Sequence, residues 1–507
     1  MERNGQPENG KLNKNNENFR KKHMLRRGLI ILFWLCIWQF AAVITHNDIL
    51  LVGPVQVCAA LLQNMKEADF LRIIFCSAGR IGFGFLAAFS GGLLLGAAGY
   101  RHAWLEEFLA PLMTVLKSIP VASFVVLLLI WSGSASLSFF ISFLIVFPNV
   151  YVNTAAGLKS ADRQLLEMAE VFQVSGWNRF LFLYRPALMP YLRSCLKISL
   201  GMSWKSGVAA EVIGMPAWSL GERLYMSKIY LDTAGLFAWT LVVILLSAFF
   251  EKTVMYCFQK FENWKPYPAS RRRSRDERQR SRNERRKEDL PGAGIPPEIV
   301  IRNVSKAYGR QRVLSDFSLT LRPGGRYCLM APSGEGKTTL LGLLNRTVLP
   351  DAGTIEGVPE RVGMVFQEDR LCGAYDAAAN ILLTYRRPVK QKIGAHGKCG
   401  RMESKEEALG IIQAEAAKIL PAECLTQPVN ELSGGMKRRC AILRAMLSGA
   451  EFIVMDEPFA GLDDGNRERT AAYIRENLNG RTLLVTTHRA EDVALLDGEI
   501  AELKAPE

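Results

Sequence analysis

The chain has 507 residues, 49% of them hydrophobic and 22% charged, with a formal net charge of +14. That length calls for more than one domain, and the balance of apolar and charged residues excludes disordered, collagen-like and disulfide-scaffold classes. The charge is concentrated: residues 1–27 hold 8 basic and 3 acidic side chains, giving +5, and residues 260–288 hold 12 and 5, giving +7. Both runs flank apolar segments, as Lys and Arg enrichment on the cytoplasmic side of membrane spans requires. The Arg-rich run carries no aromatic-interleaved platform, so no nucleic-acid partner is expected.

Crossing roughly 30 Å of hydrocarbon takes about 20 apolar residues in a helix. Six stretches meet or approach this, at 28–45, 79–99, 108–131, 136–157, 194–214 and 235–256. The first follows a mostly polar segment and shows no small-residue cleavage site, so it reads as a retained helix rather than a cleaved signal. An even count puts both flanks on one side, and the basic residues place that side in the cytoplasm. The loops at 132–135 and 215–234 then lie outside, and 158–193 is a long cytoplasmic connection.

Within that connection a short helix is expected from Glu167 to Val171. A turn at Ser175 and Gly176 follows, then a second helix stopping near Pro186 and Pro190, the whole lying on the membrane surface. Lys117, Lys205 and Glu211 fall inside spans, where charge is expensive. Lys205 and Glu211 are six apart, too far to pair as i,i+4 neighbours. Such charges line a solute path, snorkel, or pair with another span. Residues 261–297 are rich in Arg, Ser, Pro and Gly, and read as a tether, either solvated or lying against anionic lipid heads.

Residues 298–507 read as a mixed α/β domain. RYCLMAPSGEGKTTLL reads as a buried strand, a Gly-rich turn and a helix beginning near Lys337. Backbone N–H groups from Ser333 to Thr338 suit a β-phosphate, Lys337 would bridge β- and γ-oxygens, and the Thr338 hydroxyl would bind Mg²⁺. Ala331 stands where the motif usually has its first Gly. FIVMDEP is a second apolar strand ending in two acids: Asp456 to hold the Mg²⁺ shell and Glu457 to polarise the attacking water. The ten cysteines include no Cys-x-x-Cys pair, and His396 with Cys399 has no companion pair, so no metal centre is expected there.

Between the two strands lies LSGGMKRR, about twenty residues before the Asp-Glu strand. It resembles the signature of ATP-binding cassette (ABC) proteins. The resemblance implies that Ser433, Gly434 and Gly435 close on a γ-phosphate held by another subunit. It implies that Tyr308 stacks on adenine and that Gln367 contacts Mg²⁺ and water while facing the permease. Asp463 would cross a dimer interface, and His488 would bind the γ-phosphate. The nucleotide loop would comprise Ala331, Pro332, Ser333, Gly334, Glu335, Gly336, Lys337, Thr338 and Thr339.

The 158–193 connection is similar to the cytoplasmic loop of binding-protein-dependent permeases, which docks on the ATPase: Glu167, Ala169 and Pro186 match its pattern, while Met168, Gln173 and Arg185 depart from it. Gln173 replaces the usual glycine. LKSIPVASFVVLLLIWSG and SWKSGVAAEVIG extend the likeness to nitrate, sulfonate, taurine and thiamine-precursor permeases. The resemblance implies an all-α polytopic membrane domain of six helices, followed by an α/β P-loop NTPase domain of the ABC ATPase type. The domains would be a basic cytoplasmic tail (1–27), a transmembrane permease (28–260), a basic flexible linker (261–297) and the ATPase (298–507).

It implies ATP with Mg²⁺, a homodimer in the plasma membrane with the ATPase domain and both termini cytoplasmic, and a separate extracytoplasmic solute-binding protein. The activity would be ATP-driven import of a small solute. Two other readings compete. A half-size ABC exporter has the same domain order, but its spans continue well into the cytosol. A membrane-anchored regulatory ABC ATPase tolerates a degenerate catalytic set, whereas Lys337, Asp456, Glu457 and His488 are all present.

Overall fold

The computed structural model describes residues 8–45, 47, 49–264, 297–330, 336–386 and 405–502. The chain divides into two compact units: Met1–Lys159 with Pro190–Glu262, and Ser160–Met189 with Asn263–Glu507. Most of the expected tether and the whole 271–287 Arg run lie outside the described residues, as do His396 and Cys399.

The first unit is helical. In chain order the helices are α1 (Glu8–Thr45), α2 (Pro54–Asn64), α3 (Phe70–Arg101), α4 (Ala103–Ser118) and α5 (Val121–Lys159). After them come α6 (Arg163–Val171) and α7 (Gly176–Arg179) of the second unit, then α8 (Arg185–Gly214), α9 (Leu220–Ile229) and α10 (Thr233–Glu262). Among the described residues, four stretches could cross a membrane by length and composition: Leu25–Thr45, Phe70–Arg101, Val121–Lys159 and Thr233–Glu262. Five of the six expected spans fall wholly on helix.

The third span is interrupted, because Ile119 takes an extended ψ of 126° ahead of Pro120, whose ring crowds the helical conformation of the residue before it. The chain reverses at Gly133, whose φ of +74° breaks α5 inside the expected 132–135 loop. Val125 and Leu128 then pack beside Leu137 and Ile141 in one cluster, so the third and fourth spans form an antiparallel pair. The fifth falls in α8, which carries Lys197, Lys205 and Glu211.

Small residues set the closest helix contact. A Cβ on Gly84 of α3 would lie 2.4 Å from the Phe139 carbonyl oxygen, and one on Gly96 would lie 2.9 Å from that of Tyr151. Glycines there let the α3 and α5 backbones touch. Glu211 is fully buried. Ser77 Oγ donates to its Oε2 at 2.7 Å, Ser138 Oγ and the Gly221 N–H donate at 3.4 Å, and Arg80 Nε lies 3.5 Å from Oε1. The acid is thus paired with another helix, while Lys117 and Lys205 are exposed in this chain.

The second unit contains β1 (Ile299–Tyr308), β2 (Gln311–Leu321), β3 (Arg326–Met330), α11 (Lys337–Leu344), β4 (Ala352–Glu356), β5 (Val362–Val365), α12 (Ala377–Thr384) and α13 (Lys405–Ala416). It continues with α14 (Gly434–Met446), β6 (Phe452–Asp456), α15 (Asp464–Glu476), β7 (Thr482–Thr487), α16 (Ala490–Leu496) and β8 (Glu499–Glu502). Strands β2-β1-β4 make an antiparallel sheet, and β5-β6-β7-β3-β8 a parallel one. Strands β6 and β7 are buried along their whole length, which is why they read as unbroken apolar runs.

Segment Ser160–Met189 buries Met168, Ala169, Leu181 and Phe182 in the same core as these sheets, rather than lying flat on a membrane surface. The expected stop near Pro186 and Pro190 does not occur. A π turn at Phe180–Tyr184 leads into α8, which runs through both prolines. The Arg185 N–H bonds the Phe180 carbonyl five residues back, and this wider turn makes room where a proline ring otherwise strikes the preceding turn.

Two glycines of α3 make a matched test. Gly84→Ala is expected to destabilise the membrane unit by about 1–3 kcal/mol, since the methyl meets backbone. Gly79→Ala, with nothing within 4 Å of its Cβ, is expected to be neutral or stabilising in thermal unfolding.

Candidate functional site

The parallel register brings four strand tips together. Val365 pairs with Met455, Asp456 with Thr486, and Thr487 with Met330, so β5, β6, β7 and β3 end along one edge. Ligands of open α/β sheets bind beyond such carboxyl ends. Past β3, Gly336 has a φ of +86°, and a Cβ there would lie 2.9 Å from the Val313 carbonyl oxygen, so the position requires glycine. Helix α11 then starts at buried Lys337 with no side-chain cap on its first turn, which leaves backbone donors for an anion. Thr338 is exposed and Thr339 half-buried. Ala331, Pro332, Ser333, Gly334 and Glu335 lie outside the described residues.

At the tip of β6, Asp456 is buried and accepts from Thr486 Oγ1 at 2.5 Å. Burial pushes its carboxyl above the usual range, against the pull of that hydrogen bond. Glu457 takes a left-handed φ of +45°, a conformation that costs a non-glycine residue about 1–3 kcal/mol. Its N–H is fixed by the carbonyl and Oγ1 of Thr486, each at 3.1 Å. Its Oε1 lies 3.5 Å from His488 Nδ1 at the end of β7. Gln367 follows β5 and is exposed, and Tyr308 ends β1 with its ring half-exposed.

The remaining expected residues form a second group. Ser433 caps α14 by accepting from the Met436 N–H at 3.4 Å, and both Ser433 and Gly434 are exposed. A Cβ on Gly435 would lie 3.2 Å from Leu462, next to Asp463. Asp463 caps α15, and the Asn466 side chain holds its carboxyl below the usual range.

Of the buried arginines that escape the sequence reading, three lie at this edge. Arg438 and Arg444 of α14 reach the backbone around Gln367: Arg438 donates to the carbonyls of Phe366, Gln367, Asp456 and Glu457, and Arg444 to those of Asp369 and Arg370. Arg467 of α15 grips Asp492 through Nε at 2.8 Å and Nη2 at 2.5 Å, and Asp492 accepts from the Thr487 hydroxyl beside His488. The available signal was charge inside buried helix, as in KRRCAILRAM. The partners are mostly main-chain carbonyls, which no sequence pattern names.

Segment Ser160–Met189 is bound to the same region. Glu167 lies 3.2 Å from Arg370 Nη1, the Tyr375 hydroxyl donates to the Leu181 carbonyl at 2.7 Å, and the Arg444 guanidinium lies over the Phe172 ring at 5.3 Å. Gln173 has a φ of +51°, the conformation its glycine-like position requires. Its Nε2 donates to the Glu360 carbonyl at 2.9 Å, and its own carbonyl accepts from Arg386 at 3.0 Å.

Residues 81–256 match the binding-protein-dependent transport system inner membrane component family, and residues 314–460 match the ABC transporter family. The Nod factor export ATP-binding protein I of Rhizobium johnstonii is 30% identical over 230 residues, covering 43% of this chain and 70% of that protein. The phosphonates import ATP-binding protein PhnC of Anaeromyxobacter dehalogenans is 31% identical over 236 residues, covering 40% of this chain and 45% of that protein. A dimeric bacterial ABC transporter cassette of known structure is 26% identical at a TM-score of 0.35, covering 40% of this chain and 94% of that one. The chain spans 65% of the length of several other curated relatives it matches. The chain belongs to the ABC transporters: it is a membrane protein that carries an inner-membrane component and an ATP-binding cassette together.

Removing one member of the Arg467–Asp492 pair strands a buried charge. Arg467→Met is expected to cost about 3–5 kcal/mol in thermal unfolding, and Arg467→Met with Asp492→Leu to recover most of the loss.

Proposed function

We propose that this ABC transporter imports a small solute by hydrolysing ATP, with the membrane domain at 28–260, the linker at 261–297 and the cassette at 298–507. Relatives named for export and for import both match the cassette. Direction therefore rests on the membrane half, whose match is to binding-protein-dependent systems. The observation that carries the reading is the packing of segment Ser160–Met189 into the cassette core, with Glu167 on Arg370 three residues from Gln367. This links the inner-membrane component to the strand tips where a nucleotide would sit.

In this reading Lys337 and the first N–H groups of α11 bind the phosphates, and Tyr308 offers its ring to the adenine. Asp456, Thr338 and Gln367 would hold Mg²⁺, which would supply positive charge against the phosphate oxygens. Glu457 orients a water for attack on the γ-phosphorus and accepts its proton as the bond to ADP breaks. His488, beside Glu457, contacts the departing phosphate. Exposed Ser433 and Gly434, with Asp463, complete the site of a second copy, so the working unit is a homodimer with two cassettes and two membrane domains. The basic flanks support an orientation with the cassette and both termini on the cytoplasmic side of the plasma membrane. A separate extracytoplasmic protein delivers the solute, of the nitrate, sulfonate, taurine or thiamine-precursor class.

The full-length chain in nanodiscs is expected to hydrolyse ATP. Glu457→Gln is expected to slow it by about 10²-fold or more while lengthening the life of an ATP-bound dimer in size-exclusion chromatography. Equal rates for the two proteins would sink the assignment of hydrolysis to Glu457, and hydrolysis appearing only after another cassette chain is added would sink the homodimer reading.

A further inference from the structure

Strands β5 and β6 pair from Val362 with Phe452 to Val365 with Met455, and their ladder ends there. Gln367 and Glu457 both lie just past that end, so register no longer fixes one against the other. The Arg438 side chain spans the gap. Arg438 is 3% exposed, and its Nη1 donates to the carbonyls of Phe366 at 2.6 Å and Gln367 at 3.2 Å, and to Asp369 Oδ1 at 3.2 Å. Its Nη2 donates to the carbonyls of Asp456 and Glu457, both at 2.7 Å.

We propose that Arg438 is a positioning residue for hydrolysis: its rigid fork ties the backbone of Gln367 to that of Glu457, so that the two groups flanking the attacking water move as one body with α14. This rests on the assignment of ATP hydrolysis to this site.

Three observations support it. The four carbonyl acceptors belong to the main chain of the two segments, so the fork fixes their spacing whatever their side chains do. Glu457 sits at a φ of +45°, which persists only where its surroundings over-determine it, and Arg438 is a main restraint on its carbonyl side. Arg438 also lies one turn into the helix whose exposed first residues are Ser433 and Gly434. A displacement of that helix end would thus reach both Gln367 and Glu457. A planar guanidinium can serve two separated segments at once, whereas an ammonium is a point donor.

The test is a double-mutant cycle on the full-length chain in nanodiscs, with kcat and KM for ATP, binding of radiolabelled ATP and thermal unfolding as readouts. Arg438→Gln is expected to lower kcat by about 10²-fold while ATP affinity and KM stay within about threefold. In a Glu457→Gln background the same change is expected to alter the residual rate by less than about twofold, because the residue acts through Glu457. Arg438→Lys, which keeps the charge without the fork, is expected to show the same non-additivity with a smaller kcat loss, and it serves if Arg438→Gln fails to fold. The proposal is overturned by a kcat within about twofold of wild type, by ATP binding lost in step with stability, or by an equal loss in both backgrounds. If wild type does not hydrolyse ATP, or Glu457→Gln is as fast as wild type, the assignment of hydrolysis fails instead, whatever Arg438 does.

Discussion

A parallel ladder ends with carbonyls still pointing outward, and a buried carbonyl without a partner costs about as much as a lost hydrogen bond. In the cassette this constraint is met by arginines from one helix. Arg438 and Arg444 of α14 together take the carbonyls of Phe366, Gln367, Asp369, Arg370, Asp456 and Glu457. The guanidiniums are buried, and their terminal nitrogens each meet main-chain acceptors, which is the condition under which interior charge is tolerated. The loops that carry the chemistry are therefore shaped by a helix that starts at the exposed Ser433.

The same helix touches the segment shared with the membrane half of the sequence. Arg444 faces Phe172 with its π-facing surface while its nitrogens hold the loop after Gln367. Gln173 follows directly, in a backbone conformation that L-residues avoid, and spends its side chain on a main-chain carbonyl of the cassette. A glycine would sit there without strain and without that bond. The departure from the family pattern trades backbone ease for a specific attachment.

Much of this was legible in the residues. Apolar runs located the long helices α1, α3, α5, α8 and α10, and the strand-turn-helix texts around Lys337 and Asp456 located the strand tips, because these depend on local periodicity. The reversal near Gly133 was also visible, since glycine chemistry is local, whereas the turn expected at Ser175 and Gly176 falls at Phe172 and Gln173, and Ser175 instead caps the helix that starts at Gly176. The continuation of α8 through Pro186 and Pro190 was not visible: a π turn in the preceding FLFLY makes room for Pro186, and α8 also runs on through Pro190, which lies beyond that turn. Nor was the partner of Glu211, which required Arg80 to arrive from a helix 131 positions earlier in sequence. Long-range pairing by arginine is set by the fold, and leaves only an unexplained charge in the text.

The gap at Ile119 and Pro120 has a consequence for solvation. It falls about midway along the stretch from α4 to Gly133, where a membrane would be driest. Breaking a helix there frees main-chain carbonyls that lipid tails cannot solvate, so irregular backbone survives at that depth only against protein or water. At that depth the break between α4 and α5 ties its neighbourhood to protein packing or water rather than to lipid tails.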